Sequence, residues 1–288
     1  FKVNLSRRGE FRVKKIIFKV LKVVLLALFL IAAIVPLYWV IVTSLKGNKE
    51  IYSYPIKYFP ESPTLENYVY LFEVSSFGVY FRNSALVALV GSMGALLIST
   101  FSGYAISRLR KKRTKLLLIL AMYFTQMIPT YMVMVPLFTM FASIGKTDNL
   151  LSLSLVYINM MIAFSTIMGK SFFDRIPVAL EEAAMIDGCT PVQVISKVII
   201  PLALPGISAI FSFSFINIWN ELFLAVMLLS SESKMTIPVA LNSFISKAGI
   251  SWGVLSAGIV VALLPTIIVF AFAQRYIIMG LTEGAVKE

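Results

Sequence analysis

The chain of 288 residues contains no histidine and a single cysteine, Cys189. It therefore lacks the commonest general base at neutral pH and the commonest zinc ligand. One cysteine excludes both an intramolecular disulfide and a cysteine-cluster metal site. No catalytic constellation and no metal site is expected from these residue types. Gly145-Lys146-Thr147 has the ending of a phosphate-binding loop. That motif needs a glycine five positions earlier, and position 140 is Met. The tripeptide reads as a turn, and no nucleotide site is expected on this chain. Of the 14 acidic residues, only Glu221 lies inside a stretch apolar and long enough to span a membrane; it follows Trp219 and Asn220. Ionisable groups at membrane depth usually face a bundle interior or a polar cavity. Trp219, Asn220 and Glu221 are thus candidate lining of a solute pathway. A hydrogen bond tying two helices, or a place near the outer interface, is the open alternative.

The elements that position these residues follow from composition. Hydrophobic residues make up 59% and charged residues 14%, against about 45–50% and about 25% in soluble domains. Mean hydropathy is +0.88, which excludes a soluble globular protein. The net charge of +12 reads as topology and contact with anionic lipid, not as a nucleic-acid footprint. A spanning helix needs about 20 mostly apolar residues. Six stretches qualify: Val23–Leu45, Ser84–Ile106, Leu116–Phe141, Asn149–Met168, Leu204–Leu229 and Leu255–Phe272. The third is long enough to tilt, with kinks expected at Pro129 and Pro136. The first follows a run of lysines without a small-residue cleavage site, so it reads as retained.

Basic residues crowd the N-terminal segment 1–22 and the link Arg108–Lys115, whereas the link between spans three and four holds only Lys146 and Asp148. The positive-inside rule then places both termini in the cytoplasm. A basic N-terminus (1–22) precedes a membrane domain (23–288), with an inward loop at about 169–203 and an inward tail at 273–288.

The inward loop has the pattern of two short helices and a tight turn. Pro177 suits a first helical position, and Glu181 and Glu182 lie near the positive end of that helix. Gly188 suits the left-handed residue that closes it. Thr190, Pro191 and Gln193 form a capping box for the second helix. There Val192, Ile195, Val198 and Ile199 share one face, which predicts an amphipathic helix along the membrane surface.

The stretch Glu182-Ala183-Ala184, with Gly188 beyond it and Val198-Ile199-Ile200-Pro201 further on, resembles the EAA loop of ABC-importer permeases. Phe101-Ser102-Gly103-Tyr104-Ala105, Met127-Ile128-Pro129, Trp219-Asn220-Glu221, Thr236-Ile237-Pro238-Val239 and the tail from Gln274 to Lys287 extend the likeness to carbohydrate-uptake permeases of the MalG type. Ala179 and Leu222 depart from the usual Glu and Phe. The resemblance implies an all-α membrane protein of six transmembrane helices, with a cytoplasmic coupling hairpin between spans four and five. It implies a permease subunit, not an enzyme, in a bacterial or archaeal cytoplasmic membrane, multi-pass with both termini cytoplasmic. The implied cargo is a di- or oligosaccharide. Implied partners are a second, MalF-like permease, two ABC ATPase subunits that carry ATP and Mg, and an extracytoplasmic sugar-binding protein. This chain itself would bind no cofactor. The same likeness assigns ATPase coupling to Glu181, Glu182, Ala183, Ala184, Asp187 and Gly188, and ATPase contact in the tail to Gly284, Ala285 and Lys287. A secondary transporter would be expected to hold several intramembrane acids, and an intramembrane enzyme a nucleophile–base pair.

Overall fold

The computed structural model describes residues 2–246 and 249–282, with side chains for 15–245 and 249–274. The helices are α1 (Lys2–Ser44), α2 (Asn48–Ile51), α3 (Glu66–Val69), α4 (Phe77–Arg108), α5 (Lys112–Gln126), α6 (Thr130–Ser143) and α7 (Leu150–Phe173). They continue as α8 (Val178–Ile186), α9 (Pro191–Val194), α10 (Ile200–Trp219), α11 (Phe223–Leu228), α12 (Ile237–Ser243) and α13 (Trp252–Thr282). Extended pairing among the described residues is confined to two-residue strands at Ile245–Ser246 and Gly249–Ile250. The protein is an all-α membrane protein.

Two compact units divide the chain: Phe1–Val74 with Ile250–Val260, and Ser75–Gly249 with Val261–Glu288. In the first, α1 runs unbroken through the expected boundary at residue 22, and its part Lys15–Ser44 is apolar enough to cross a membrane. Within it the most apolar stretch of 18 residues has no residue buried in the chain, as suits a helix facing lipid, whereas Val42, Thr43 and Ser44 at its end are buried. Its C-terminal carbonyls find a partner in Asn67, whose Nδ2 donates to Ser44 O at 3.0 Å and Lys46 O at 2.8 Å. A buried amide thereby satisfies helix-end groups that hydrocarbon cannot.

The second unit is built on α4 packed along α7, with α10 against both. Small residues line the contact, among them Ala95, Ser99 and Gly103 of α4 and Ser165 and Gly169 of α7. A Cβ on Gly103 would stand 2.8 Å from Lys170 N and 3.1 Å from Thr166 O, so the backbones touch there. Close approach through small residues replaces the hydrophobic drive that lipid removes.

Two expected spans are not straight helices. The third is broken into α5 and α6, which meet at 87°. Pro129 caps α6 in extended conformation, with ψ 133°, and its ring bars Ile128 from helical geometry. Pro136 sits inside α6; the break belongs to Pro129 alone. The fifth expected span, Leu204–Leu229, ends early at Trp219, and α11 follows after a two-residue gap past Asn220. At its other end Leu204–Trp219 bends by 73° from Pro191–Leu202. Among the described residues four helices are each long and apolar enough to cross a membrane, and up to six spans result if each bent pair is one span.

Candidate functional site

The hairpin between α7 and α10 is held by local chemistry first. Pro177 stands one place earlier than expected, as the N-cap of α8. At the other end Gly188 has φ +88°, a left-handed conformation open to glycine and costly for residues with a Cβ. Gly188 N donates to Met185 O at 3.1 Å and Cys189 N to Ala184 O at 3.0 Å, the paired bonds of a Schellman turn. Thr190 and Gln193 then form the capping box of α9, with Thr190 N donating to Gln193 Oε1 at 2.8 Å.

The expected apolar face of the second helix is met in part: Val198 and Ile199 lie on the buried side and Val192 does not. Ile195–Ile199 makes a π turn between α9 and α10, which shifts the register. Val194, Ile199 and Ala203 are buried together with Phe173, while Val192 is 75% exposed. Tyr104, Ile176 and Ala184 pack on this cluster, so the hairpin has its own apolar floor.

A polar anchor fastens the hairpin to α4. The Arg108 guanidinium meets Glu181 Oε1 at 2.6 Å through both Nε and Nη2. It also donates to Phe173 O and Ile176 O at 3.1 Å each, satisfying the last carbonyl of α7 and one in the turn before α8. Tyr104 OH donates to Glu181 Oε2 at 2.8 Å, and the guanidinium lies over the Tyr104 ring at 5.6 Å. Beside it Asp174 accepts from Ser107 Oγ at 2.7 Å and from Lys170, with Lys115 Nζ at 3.4 Å. Burial pushes the Asp174 carboxyl up, but the hydrogen bonds from Lys170 and Ser107 outweigh it and hold the group below the usual carboxylate range.

The coupling candidates therefore divide. Glu181 is buried and turned onto Arg108. Glu182, Ala183, Asp187 and Gly188 are exposed, and Ala184 is half-buried on the floor. The exposed side also carries Met185 and Ile186, the latter 86% exposed. Arg108 escaped sequence reading because its charge was absorbed by topology; its only signal was its place after Phe101-Ser102-Gly103-Tyr104-Ala105.

The candidate solute-pathway residues divide too. Trp219 is buried, and its Nε1 donates to Ala262 O at 3.0 Å. Glu221 accepts from Tyr157 OH at 2.6 Å and caps α11, taking Leu224 N at 3.0 Å and Ala225 N at 3.3 Å. Asn220 alone is exposed, with Nδ2 on Ile216 O at 2.8 Å. Glu221 thus serves the break after α10, while Trp219 ties α10 to α13. The loop beyond α11 is tied down by Asp148, which accepts from Ser230 N and Ser231 N at 3.0 Å each and pairs with Lys234 at 3.3 Å. Burial raises the Asp148 carboxyl; the Ser231, Ser230 and Lys234 bonds hold it well below the usual range. Gly284, Ala285 and Lys287 lie outside the described residues.

The class of protein to which this broken-helix bundle with its capped hairpin belongs, an importer permease, follows from sequence comparison. Residues 95–281 match the family described as binding-protein-dependent transport system inner membrane component. The chain belongs to that family, and is a multi-pass permease subunit, not an enzyme. It is 37% identical to the inner membrane ABC transporter permease protein YcjP of Escherichia coli K12, over 91% of this chain and 94% of that one. It is 34% identical to the sulfoquinovosyl glycerol transport system permease protein SmoH of Agrobacterium fabrum, over 93% and 94%. A crystal structure of a bacterial ABC transporter for the acidic polysaccharide alginate superposes with TM-score 0.78 at 25% identity, covering 91% of this chain and 96% of that one.

Proposed function

We propose that this permease is one half of the translocation pathway of an ATP-driven carbohydrate importer, coupled to its ATPases through the hairpin Val178–Val194. A second permease completes the pore, two ABC ATPase subunits dock beneath, and an extracytoplasmic binding protein delivers the sugar. Both termini and the hairpin face the cytoplasm, and the six spans include both bent pairs. ATP closes the ATPase dimer; the hairpin passes that movement through Glu181 and Arg108 to α4 and α7, and access to the pathway alternates. The tail around Gly284, Ala285 and Lys287 reaches the same ATPase pair.

The observation that carries this reading is the hairpin itself. Its inner side is locked by a part-buried ion pair and an apolar floor, while its outer side exposes Ile186 and Met185 beside Glu182 and Asp187. An apolar tip with a charged rim is the anatomy of a protein-binding surface. The family's dependence on binding proteins and the carbohydrate cargoes named for SmoH and the alginate transporter support the cargo class. The test is uptake of labelled sugars into proteoliposomes holding the complete transporter. Uptake that requires both ATP and binding protein is expected. Sugar movement by the purified permease alone would overturn the reading.

A further inference from the structure

The first unit contains a cavity of about 310 Å³, at the lower end of the range of about 300–1,000 Å³ common to small-molecule sites. One wall is the end of α1, with Trp39, Val40 and Thr43. Another is the start of α13, where Trp252, Leu255, Ser256 and Ile259 fall on one helical face. The segment after α1 completes it with Lys46, Glu50, Tyr52 and Lys57. Tyr52 OH donates to Ile250 O at 2.9 Å and so joins that segment to the start of α13.

The depth of the cavity narrows what it can hold. It lies at the end of a helix apolar enough to cross a membrane, and the rest of the chain leaves the apolar stretch of that helix uncovered. Two of the three tryptophans of the chain line it, and both are partly exposed, Trp39 at 39% and Trp252 at 46%. Trp and Tyr are enriched where hydrocarbon meets headgroups. Below that level Val40, Leu255 and Ile259 offer apolar surface.

Charge narrows it further. Lys46 is only 3% exposed. Its ammonium donates to Lys57 O and lies over the Trp39 ring, 5.1 Å from the centroid; both partners line the cavity. Among the described residues it forms no ion pair, whereas Lys57 is paired with Glu61. An ammonium carries three donors, and a buried charge without a counter-charge is costly. An anion in the cavity would supply both acceptors and charge. Glu50, half-buried on the same wall, accepts from Glu61 N at 2.8 Å through Oε1. Its Oε2 has no hydrogen-bond partner among the described residues, which suits a second, cationic group on the same ligand.

The geometry points to a phospholipid site. The lipid phosphate pairs with Lys46, a primary-amine headgroup meets Glu50, and the start of an acyl chain lies along Val40, Leu255 and Ile259. The occupant is thus a phosphatidylethanolamine, and the topology proposed above makes it a lipid of the outer leaflet. That choice of leaflet is the only part that rests on the importer reading.

The experiment uses the complete importer, purified in mild detergent and stripped of lipid. It is titrated with dioleoyl phosphatidylethanolamine, phosphatidylcholine or phosphatidylglycerol, and native mass spectrometry counts the lipids held. Wild type should hold one phosphatidylethanolamine that Lys46→Met binds about tenfold more weakly, the worth of one charge-assisted hydrogen bond. Glu50→Gln should still bind that lipid but no longer prefer it to phosphatidylcholine. Ile259→Trp fills the cavity and leaves both charges in place, so it should displace the same lipid even if Lys46→Met fails to assemble. Equal lipid number and affinity in wild type and Ile259→Trp would overturn the proposal. So would a wild-type preference for phosphatidylglycerol. In a Cys189→Ser background, complete cross-linking of Ile56→Cys to the second permease, with no lipid difference between wild type and Ile259→Trp, would show that protein fills the cavity and would overturn it too. The sugar-import reading stands in each of these cases.

Discussion

Glu181 and Glu221 occupy matching positions in two differently built regions. Each carboxylate is turned inward, and each accepts from a tyrosine hydroxyl, Tyr104 at 2.8 Å and Tyr157 at 2.6 Å. Their remaining partners differ. Glu181 faces a guanidinium, Arg108, that also reaches two carbonyls beyond it. Glu221 has backbone N–H groups at the start of α11 and no ion pair among the described residues. A guanidinium fork ties three elements into one body, so force on the hairpin reaches α4 and the end of α7. A carboxylate on a helix N-terminus fixes only the geometry of one break. The hairpin end joins three elements, and the α10–α11 end holds the shape of one break.

The comparison can be broken most severely at Arg108. Arg108→Ala leaves Glu181 without its counter-charge; the pair is part-buried, so the loss stays below the about 3–5 kcal/mol of a fully buried pair. Protease cleavage within residues 178–194 should rise sharply, and ATPase subunits should no longer copurify. The double variant Arg108→Met with Glu181→Met removes the orphaned charge and should recover protease resistance, but not transport. Equal cleavage in Arg108→Ala and wild type would remove the anchor from the account.

Gly188→Val attacks the same region through the backbone. A β-branched residue at φ +88° costs at least about 1–2 kcal/mol, and no neighbouring atom offers compensation, since a Cβ there meets nothing within 4 Å. The subunit should remain abundant in the membrane while ATPase recruitment falls. If recruitment and uptake match wild type, the turn does not aim the hairpin.

Glu221→Gln sharpens the other side of the comparison. The amide oxygen still accepts from Tyr157 and from the α11 backbone, so the loss is the charge–dipole part, about 0.3–1 kcal/mol. Assembly should be normal and the thermal midpoint slightly lower. Asn220→Ala should change stability less, since it removes a single intrahelical bond. Loss of the subunit from the membrane in either variant would mean that the break is a folding element.

The smallest effect concerns pH at the Asp148 clamp. Its carboxyl is held below the ordinary value of 3.8. A depressed acid contributes stability that is fully present above its unfolded pKa and lost as pH falls through the folded one. Protease resistance of the loop 229–236 should therefore be flat from neutral pH down to about 4 and decline only below it. Asp148→Asn should show reduced resistance already at neutral pH.

Local chemistry was legible in the sequence, and long-range chemistry was not. Thr190 with Gln193, and Gly188 after an alanine-rich turn, specify caps whose partners lie within five residues, and the structure shows both. Six apolar stretches were legible as well, because hydropathy needs no partner. The break at Pro129 was visible only as a kink; its 87° turn depends on what the two halves pack against. The α10–α11 break was invisible, since Leu222–Leu229 continues the apolar run and only the folded chain turns Glu221 into a cap. The buried face of the hairpin was placed only in part: Val198 and Ile199 lie on it, but Val194 replaces Val192, because the π turn Ile195–Ile199 inserts a residue that helical periodicity does not anticipate. Arg108 and Glu181 stand 73 residues apart, and no spacing rule joins them.

The central claim is that the exposed tip of the hairpin meets the ATPase. It is tested most directly by placing a cysteine at Ile186 in a Cys189→Ser background and cross-linking the assembled importer through a short bifunctional thiol reagent. The account predicts one dominant product between this permease and an ATPase subunit carrying a cysteine in its docking cleft, with a yield that changes between nucleotide-free and ATP-bound states. Absence of that product in a fully assembled complex, with the same reagent linking Ile186→Cys to the extracytoplasmic binding protein instead, would contradict it.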